Sequence, residues 1–434
     1  MRNRSSAAAL ILSCLVSVAS AADWPQWRGP NFNGATDAKN LPDKLDASTQ
    51  LWSVQLPGVG SGTPIVWQDR IFLTGIDDQS KKLYATCFSR KDGSVLWQKE
   101  IGIGFQQNDR NNMAAPSAIT DGKLAWFYYG TGDLAAFDMD GNQKWARNIQ
   151  KDFGPFHYNW IYGSSPLLYG GKLYVQVLHR DVPVRGAADG SPKDSYLLAI
   201  DPQTGKDLWR VTRPNDAIQE TKEAYSTPIP YTNNGHTEIV LIGGDCVTAH
   251  DPETGKELWR VGGWDQQKSA TFRLVASVAT FGDLVFACPP KGTPMFALRD
   301  GGSGDVTTTN VAWRSKELAS DVCVPLIYKD HLYVLDGDKK KFYCTDPKTG
   351  NILWQGALGG KAVFRASPTA SENKIYCMNE NGDLWVLAAD EFKILSTFST
   401  KSGRSRGSIA LVDGMVIVRA GDKLTAYGKK PGAI

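Results

Sequence analysis

The sequence predicts an all-β fold: one eight-bladed β-propeller of four-stranded antiparallel blades, its ring closed by an N-terminal strand. Three observations carry this. The segments AIDPQTGKDLWR (Ala199 to Arg210), AHDPETGKELWR (Ala249 to Arg260) and CTDPKTGNILWQ (Cys344 to Gln355) are copies of one unit. Four short apolar runs recur in each unit at a spacing of about 40 to 50 residues, too short for a unit to bury its own faces without stacking on its neighbours. The last unit lacks a fourth strand, and a strand without a unit stands near the N-terminus.

Within each copy, Asp accepts backbone N–H groups to open a turn, Pro presets φ, and Gly supplies the left-handed conformation that returns the chain as an antiparallel neighbour. First strands begin near Gly62-Thr63-Pro64, Ala115-Pro116-Ser117, Ser164-Ser165-Pro166, Ser226-Thr227-Pro228, Ala276-Ser277-Val278, Cys323-Val324-Pro325, Ala366-Ser367-Pro368 and Arg406-Gly407-Ser408. Trp97, Trp145, Trp209, Trp259, Trp313 and Trp354 fill the fourth-strand slot of the first six units, and Ile394-Leu395 fills it in the seventh. The eighth unit stops after Lys423 to Tyr427, and Gln50 to Val54, which carries Trp52, is its missing outer strand. Closing the ring this way removes the open sheet edges that an array would expose to aggregation. The propeller therefore runs from 51 to 428, with a leader over 23–50 and a tail over 429–434.

Met1 to Ala22 carries Arg2 and Arg4, an apolar stretch from Ala7 to Val18 and small residues Ala19 to Ala22. This is the pattern of a secretory signal peptide, and its apolar stretch is short for a membrane span. Ile11-Leu12-Ser13 before Cys14 is a poor lipobox, so the mature chain is expected to be exported and soluble, periplasmic or extracellular, and monomeric. Formal charge is +3, or +1 once Arg2 and Arg4 are removed. That balance, without a basic stripe interleaved with aromatics, argues against a nucleic-acid partner. The six cysteines beyond Cys14 sit within or at the start of strand patterns, where Cys serves as a small buried hydrophobe. An exported chain also permits disulfides, and six thiols allow fifteen connectivities.

The Ala-x-Asp-x-x-Thr-Gly-x-x-x-Trp unit resembles the tryptophan docking motif of pyrroloquinoline quinone (PQQ) dehydrogenases and of the wider family of PQQ-like repeat propellers. It covers nearly everything from Leu51 to Tyr427. The resemblance implies that Trp52, Trp97, Trp145, Trp209, Trp259, Trp313 and Trp354 pack between adjacent blades. Asp23-Trp24-Pro25-Gln26-Trp27-Arg28-Gly29-Pro30 also looks like the leader of exported members said to resemble the outer-membrane assembly factor BamB. Enzymes of the family set the quinone against a vicinal Cys-Cys disulfide and hold Ca²⁺ with an acidic and amide set. This chain has no adjacent cysteines and no Cys-x-x-Cys-His for an attached haem. The resemblance thus implies the fold, with no cofactor expected; PQQ with Ca²⁺ belongs to the alternative, a quinoprotein alcohol or sugar dehydrogenase with an atypical site. The function expected is a non-catalytic binding or assembly scaffold whose partner is an envelope protein or a small polar ligand.

Loops that enter the innermost strands crowd the channel mouth of a propeller, which makes them the place to look for a site. They offer Arg110, Asn112, His157, Tyr158, Asn159, Trp160, Glu223, Arg273, Asp321, Arg365, Arg404 and Arg406. Several guanidinium groups suit an anionic or sugar-like ligand through bidentate hydrogen bonds, with Trp160 and Tyr158 as stacking surfaces. Ahead of this stands the plainer reading, a solvated channel whose polar residues hold water and one another. No catalytic residue is assigned, because His157 has no carboxylate beside it in sequence. Asp77-Asp78, Asp336-Gly337-Asp338 and Asn379 to Asp383 read as hairpin turns rather than metal loops. His179 to Ser195 is the longest insertion between neighbouring strands and the natural place for a partner contact.

Overall fold

The computed structural model describes residues 22–184, 190, 194–290 and 292–430. Residues 1–21 of the signal-peptide segment, 185–189 and 191–193 of the 179–195 insertion, residue 291 and the last four residues lie outside them. Eight four-stranded antiparallel blades form the ring, with almost no helix beyond Ile149–Phe153. Blade 1 is built by Ile65–Trp67, Arg70–Ile76, Lys82–Ser89 and Val95–Ile103, and the pattern repeats to blade 8. Blade 8 is completed by Gln50–Gln55, which pairs antiparallel with Lys423–Gly428 in the register Ser53↔Thr425, Val54↔Leu424 and Gln55↔Lys423. Inner strands are apolar on both faces because each blade is covered by its neighbours. Trp126 and Leu134 of blade 2, for example, share one buried cluster with Val175 and Leu198 of blade 3.

The Thr-Gly turn does two jobs. At Gly205, φ is +72°, a conformation that costs an L side chain strain. A Cβ there would also lie 2.6 Å from the Trp145 ring of the preceding blade. The same Trp-on-Gly contact joins Trp52 to Gly93, Trp97 to Gly141, Trp209 to Gly255 and Trp313 to Gly350. Turn carbonyls accept the indole N–H groups: Trp145 Nε1 donates to Pro202 O at 2.9 Å and Trp313 Nε1 to Pro347 O at 2.9 Å. Trp259 and Trp354 depart from this scheme. Trp354 lies 6.1 Å from the Phe392 ring, since blade 7 has no Thr-Gly turn. Trp259 is fully buried and donates to Glu238 Oε2 at 2.9 Å. Its strand is covered by Gly304–Asp305, a parallel fifth strand on blade 4 with no counterpart in the sequence reading.

First strands start later than their sequence signals, at Ile65 rather than Gly62 and at Thr369 rather than Ala366. The reason is that the intervening residues bond across blades instead of along the ladder. Thr63 N–H donates to Ser117 Oγ (2.9 Å), Ser117 N–H to Ser165 Oγ (3.0 Å), Ser165 N–H to Thr227 Oγ1 (3.0 Å) and Thr227 N–H to Ser277 Oγ (2.7 Å). The chain resumes from Val324 N–H to Ser367 Oγ (3.0 Å), Ser367 N–H to Ser408 Oγ (3.2 Å) and Ser408 N–H to Thr63 Oγ1 (3.0 Å). This hydroxyl belt encircles the channel and fails at one link, where Val324 has no hydroxyl to offer Ser277.

The leader docks past the belt. Trp24, fully buried, bridges Val66 of blade 1, and Thr120 N–H of blade 2 donates to Pro25 O at 3.0 Å. Buried Arg28 donates to Pro325 O (3.3 Å) of blade 6 and Pro368 O (3.1 Å) of blade 7. Phe32 meets Tyr169 of blade 3 edge-on. One segment therefore ties blades on opposite sides of the ring. All six cysteines among the described residues are buried and free.

Candidate functional site

Along each inner segment the order is mouth residue, belt hydroxyl, strand, so the belt lies between the mouth and the leader. These layers enclose a cavity of about 200 Å³. Arg110, Trp160, Arg273, Asp321, Arg365 and Arg406 line its mouth, belt hydroxyls including Ser117, Ser165 and Thr227 form its wall, and Trp27 of the leader is its floor. Six of the residues singled out in the sequence thus converge on one cup.

Each mouth guanidinium is paired with a carboxylate. Arg273 Nη1 donates to Glu220 Oε1 at 3.0 Å and Arg365 Nη2 to Asp338 Oδ1 at 2.7 Å. Arg406 Nε donates to Glu380 Oε1 at 2.7 Å and its Nη2 to Asp109 O at 2.7 Å, while Arg110 lies 3.5 Å from the Asp109 carboxylate. Glu220 also accepts the Trp160 indole N–H at 2.8 Å. That indole is therefore fixed with the guanidinium carbons of Arg110 and Arg273 at 5.7 and 6.0 Å from its ring centroid, within cation–π range. Burial lowers the pKa of Arg406; for Arg365 burial is the largest single influence, yet the hydrogen bond to Asp338 and the nearby negative groups together raise its pKa.

Asn112, His157, Tyr158 and Glu223 are not part of the lining. Asn112 closes a turn, its Oδ1 accepting Ala114 N–H and its Nδ2 donating to Ser61 Oγ, both at 2.9 Å. His157 stacks on His179, and its backbone N–H donates to His179 Nδ1 at 3.2 Å. Tyr158 is packed against Tyr162 and Tyr225, so it is no stacking surface for a ligand. Glu223, fully buried, accepts from Arg180, from the Tyr225 hydroxyl and from Asn159 N–H. Burial pushes its carboxyl pKa up despite those donors. Asn159 supports the same loop, and Arg404 is exposed outside the cup. Residues absent from the sequence reading of the site are Trp27, Tyr225 and the belt hydroxyls. The recurrent Ser or Thr before each first strand was a usable signal; Trp27, outside the repeat, left none.

The acidic turns behave as turns. Asp77 Oδ1 accepts Gln79 N–H at 2.9 Å, Asp336 Oδ1 accepts Lys339 N–H at 2.9 Å, and Asn379 Oδ1 accepts Asp383 N–H at 2.9 Å.

The family profile described as outer membrane protein assembly factor BamB matches residues 44–158, 193–302 and 247–434. The chain belongs to this family. No curated protein matches it. Among solved structures it is similar to BamB from Moraxella catarrhalis, with a TM-score of 0.60 and 15% identity over 88% of this chain and 99% of that one. It is also similar to a quinohemoprotein alcohol dehydrogenase from Pseudomonas putida HK5 (TM-score 0.67, 13% identity, 94% and 80%). The enzyme of that kind from Comamonas testosteroni is a third such structure (0.65, 13%, 94% and 81%). At these identities the likeness to solved structures is one of fold.

Proposed function

We propose that the protein is an exported, non-catalytic binding propeller of the BamB-like class, with the channel-mouth cup as its ligand seat. The single observation that carries this is the convergence of four tethered guanidinium groups, Trp160 and the belt hydroxyls on a cavity floored by Trp27. Donors held by a second layer are what preorganised recognition needs. The family's description as an assembly factor supports an envelope protein as a further partner. No helix among the described residues is long and apolar enough to cross a membrane.

The cup does not fit a quinone with Ca²⁺. Asp321 is the one carboxylate residue in the lining, and no group of three or more His, Cys, Asp or Glu among the described residues is arranged to hold a metal. The six free cysteines are spread over separate strands and turns, none of them adjacent in sequence and none in the lining. A quinone needs a flat clamp on both faces and a cation to polarise its carbonyl, and the chain builds neither there. The expected outcome of mixing the protein with PQQ and Ca²⁺ is no dye-linked oxidation of alcohols or sugars. A saturable quinone complex whose dye reduction disappears in Arg273→Ala or Arg365→Ala would replace this reading with a dehydrogenase.

A further inference from the structure

The chemistry of the cup narrows what it takes, given that it is a binding site. Each mouth arginine already has an acidic partner: Asp109, Glu220, Asp338 or Glu380. Each positive charge at the mouth thus has a carboxylate beside it, which weakens the field that would gather highly charged anions. What it has is directional hydrogen bonding. A guanidinium carries five N–H donors; Arg273 and Arg365 each spend one on a carboxylate. The belt hydroxyls accept a neighbour's N–H, as Ser165 Oγ does from Ser117, and keep their own O–H to donate. Asp321 adds an acceptor, since a carboxylate offers about four lone-pair sites. Beneath lies the indole of Trp27, packed against the apolar clusters of the neighbouring blades, with the Arg28 guanidinium carbon 5.9 Å from its ring centroid.

From this we infer that the ligand is a small hydroxylated carboxylic acid. Its carboxylate meets the mouth guanidiniums, its hydroxyls meet Asp321 and the belt, and its carbon skeleton rests on Trp27. Cyclic sugar acids and open-chain hydroxy acids share this chemistry. Phosphate lacks the skeleton and the hydroxyl pattern, and a neutral sugar leaves the guanidinium donors unanswered, a loss that weighs heavily in a partly desolvated site.

The test is titration calorimetry of the full chain with glucuronate, gluconate, glucose and inorganic phosphate. Saturable one-site binding of glucuronate or gluconate is expected, whichever of the two binds more tightly identifying a cyclic or an open-chain ligand. Arg273→Gln and Arg365→Gln, each checked for an unchanged melting temperature, should weaken it about tenfold or more, the loss expected for a hydrogen bond to a charged group. Trp27→Phe should keep the binding and reduce the change in indole fluorescence that accompanies it, leaving the part contributed by Trp160. Phosphate or glucose binding as tightly as both acids would overturn the assignment of ligand class while leaving a binding cup. Absence of binding by either acid would overturn the inference outright. Neither result touches dye reduction with PQQ, which alone decides against the non-catalytic reading.

Discussion

Within blade 4, His250 shows how a buried polar residue is made acceptable and what it costs in acid. Gly255 O can only accept, so His250 Nδ1 carries the proton and donates to it at 2.9 Å. Nε2 is then left to accept from Thr248 Oγ1 at 2.9 Å, and Thr248 in turn accepts from Arg213 Nε at 2.7 Å. Protonation would put a charge where burial forbids it, which lowers the pKa from 6.5 to about 4. The folded value lies below the unfolded one, so the contribution to stability is complete above pH 6.5 and is lost as pH falls towards 4. At full titration the loss is about 3 kcal/mol. Urea midpoints of the wild type should therefore drop between pH 7 and 4.5 relative to His250→Gln; a constant difference between the two would contradict this. Asp245, raised to about 6 by burial, runs the other way and is common to both proteins. Glu223 was less legible in the sequence. Its place in an entering loop pointed to the mouth, but its side chain turns inward to Arg180, a partner 43 positions away that no local pattern reveals.

Strands and turns were the most legible features, because each copy of the unit encodes both halves of a contact. Trp145 and Gly205 belong to neighbouring copies, and the turn that needs a left-handed glycine is the turn that needs room for an indole. Strand starts were less legible, since Thr63 or Ser367 reads as the beginning of a strand while its backbone serves the belt. The short strand Gly304–Asp305 was not legible at all: two residues that pair with the previous blade carry no periodicity. The broken link of the belt gives a test at this scale. Val324→Thr keeps the side-chain shape and places a hydroxyl where the other blades have one. Chemical denaturation should show it to be more stable by about 1 kcal/mol, the net worth of one hydrogen bond. A destabilisation by that amount would mean the gap is required rather than vacant.

For the whole molecule, ring closure could be deduced from two anomalies that explain each other, an orphan Leu-Trp strand and a three-stranded last unit; Val54 paired with Leu424 joins them. The leader could not be, because its role depends on reaching across the ring once the ring exists. Through Trp24, Arg28 and Phe32 it binds blades far apart in sequence, and through Trp27 it turns a channel into a cup. The mouth arginines were visible in the entering loops, whereas their partner carboxylates at Asp338 and Glu380 sat in turns with no apparent bearing on a site. The central claim is that binding takes place in this cup. It is tested most directly by a crystal structure of the protein soaked with glucuronate. Ligand density between Trp27 and the guanidiniums of Arg273 and Arg365 is the result this account predicts; an unoccupied cup at a concentration that saturates the protein in solution, with the ligand on an outer blade surface, would contradict it.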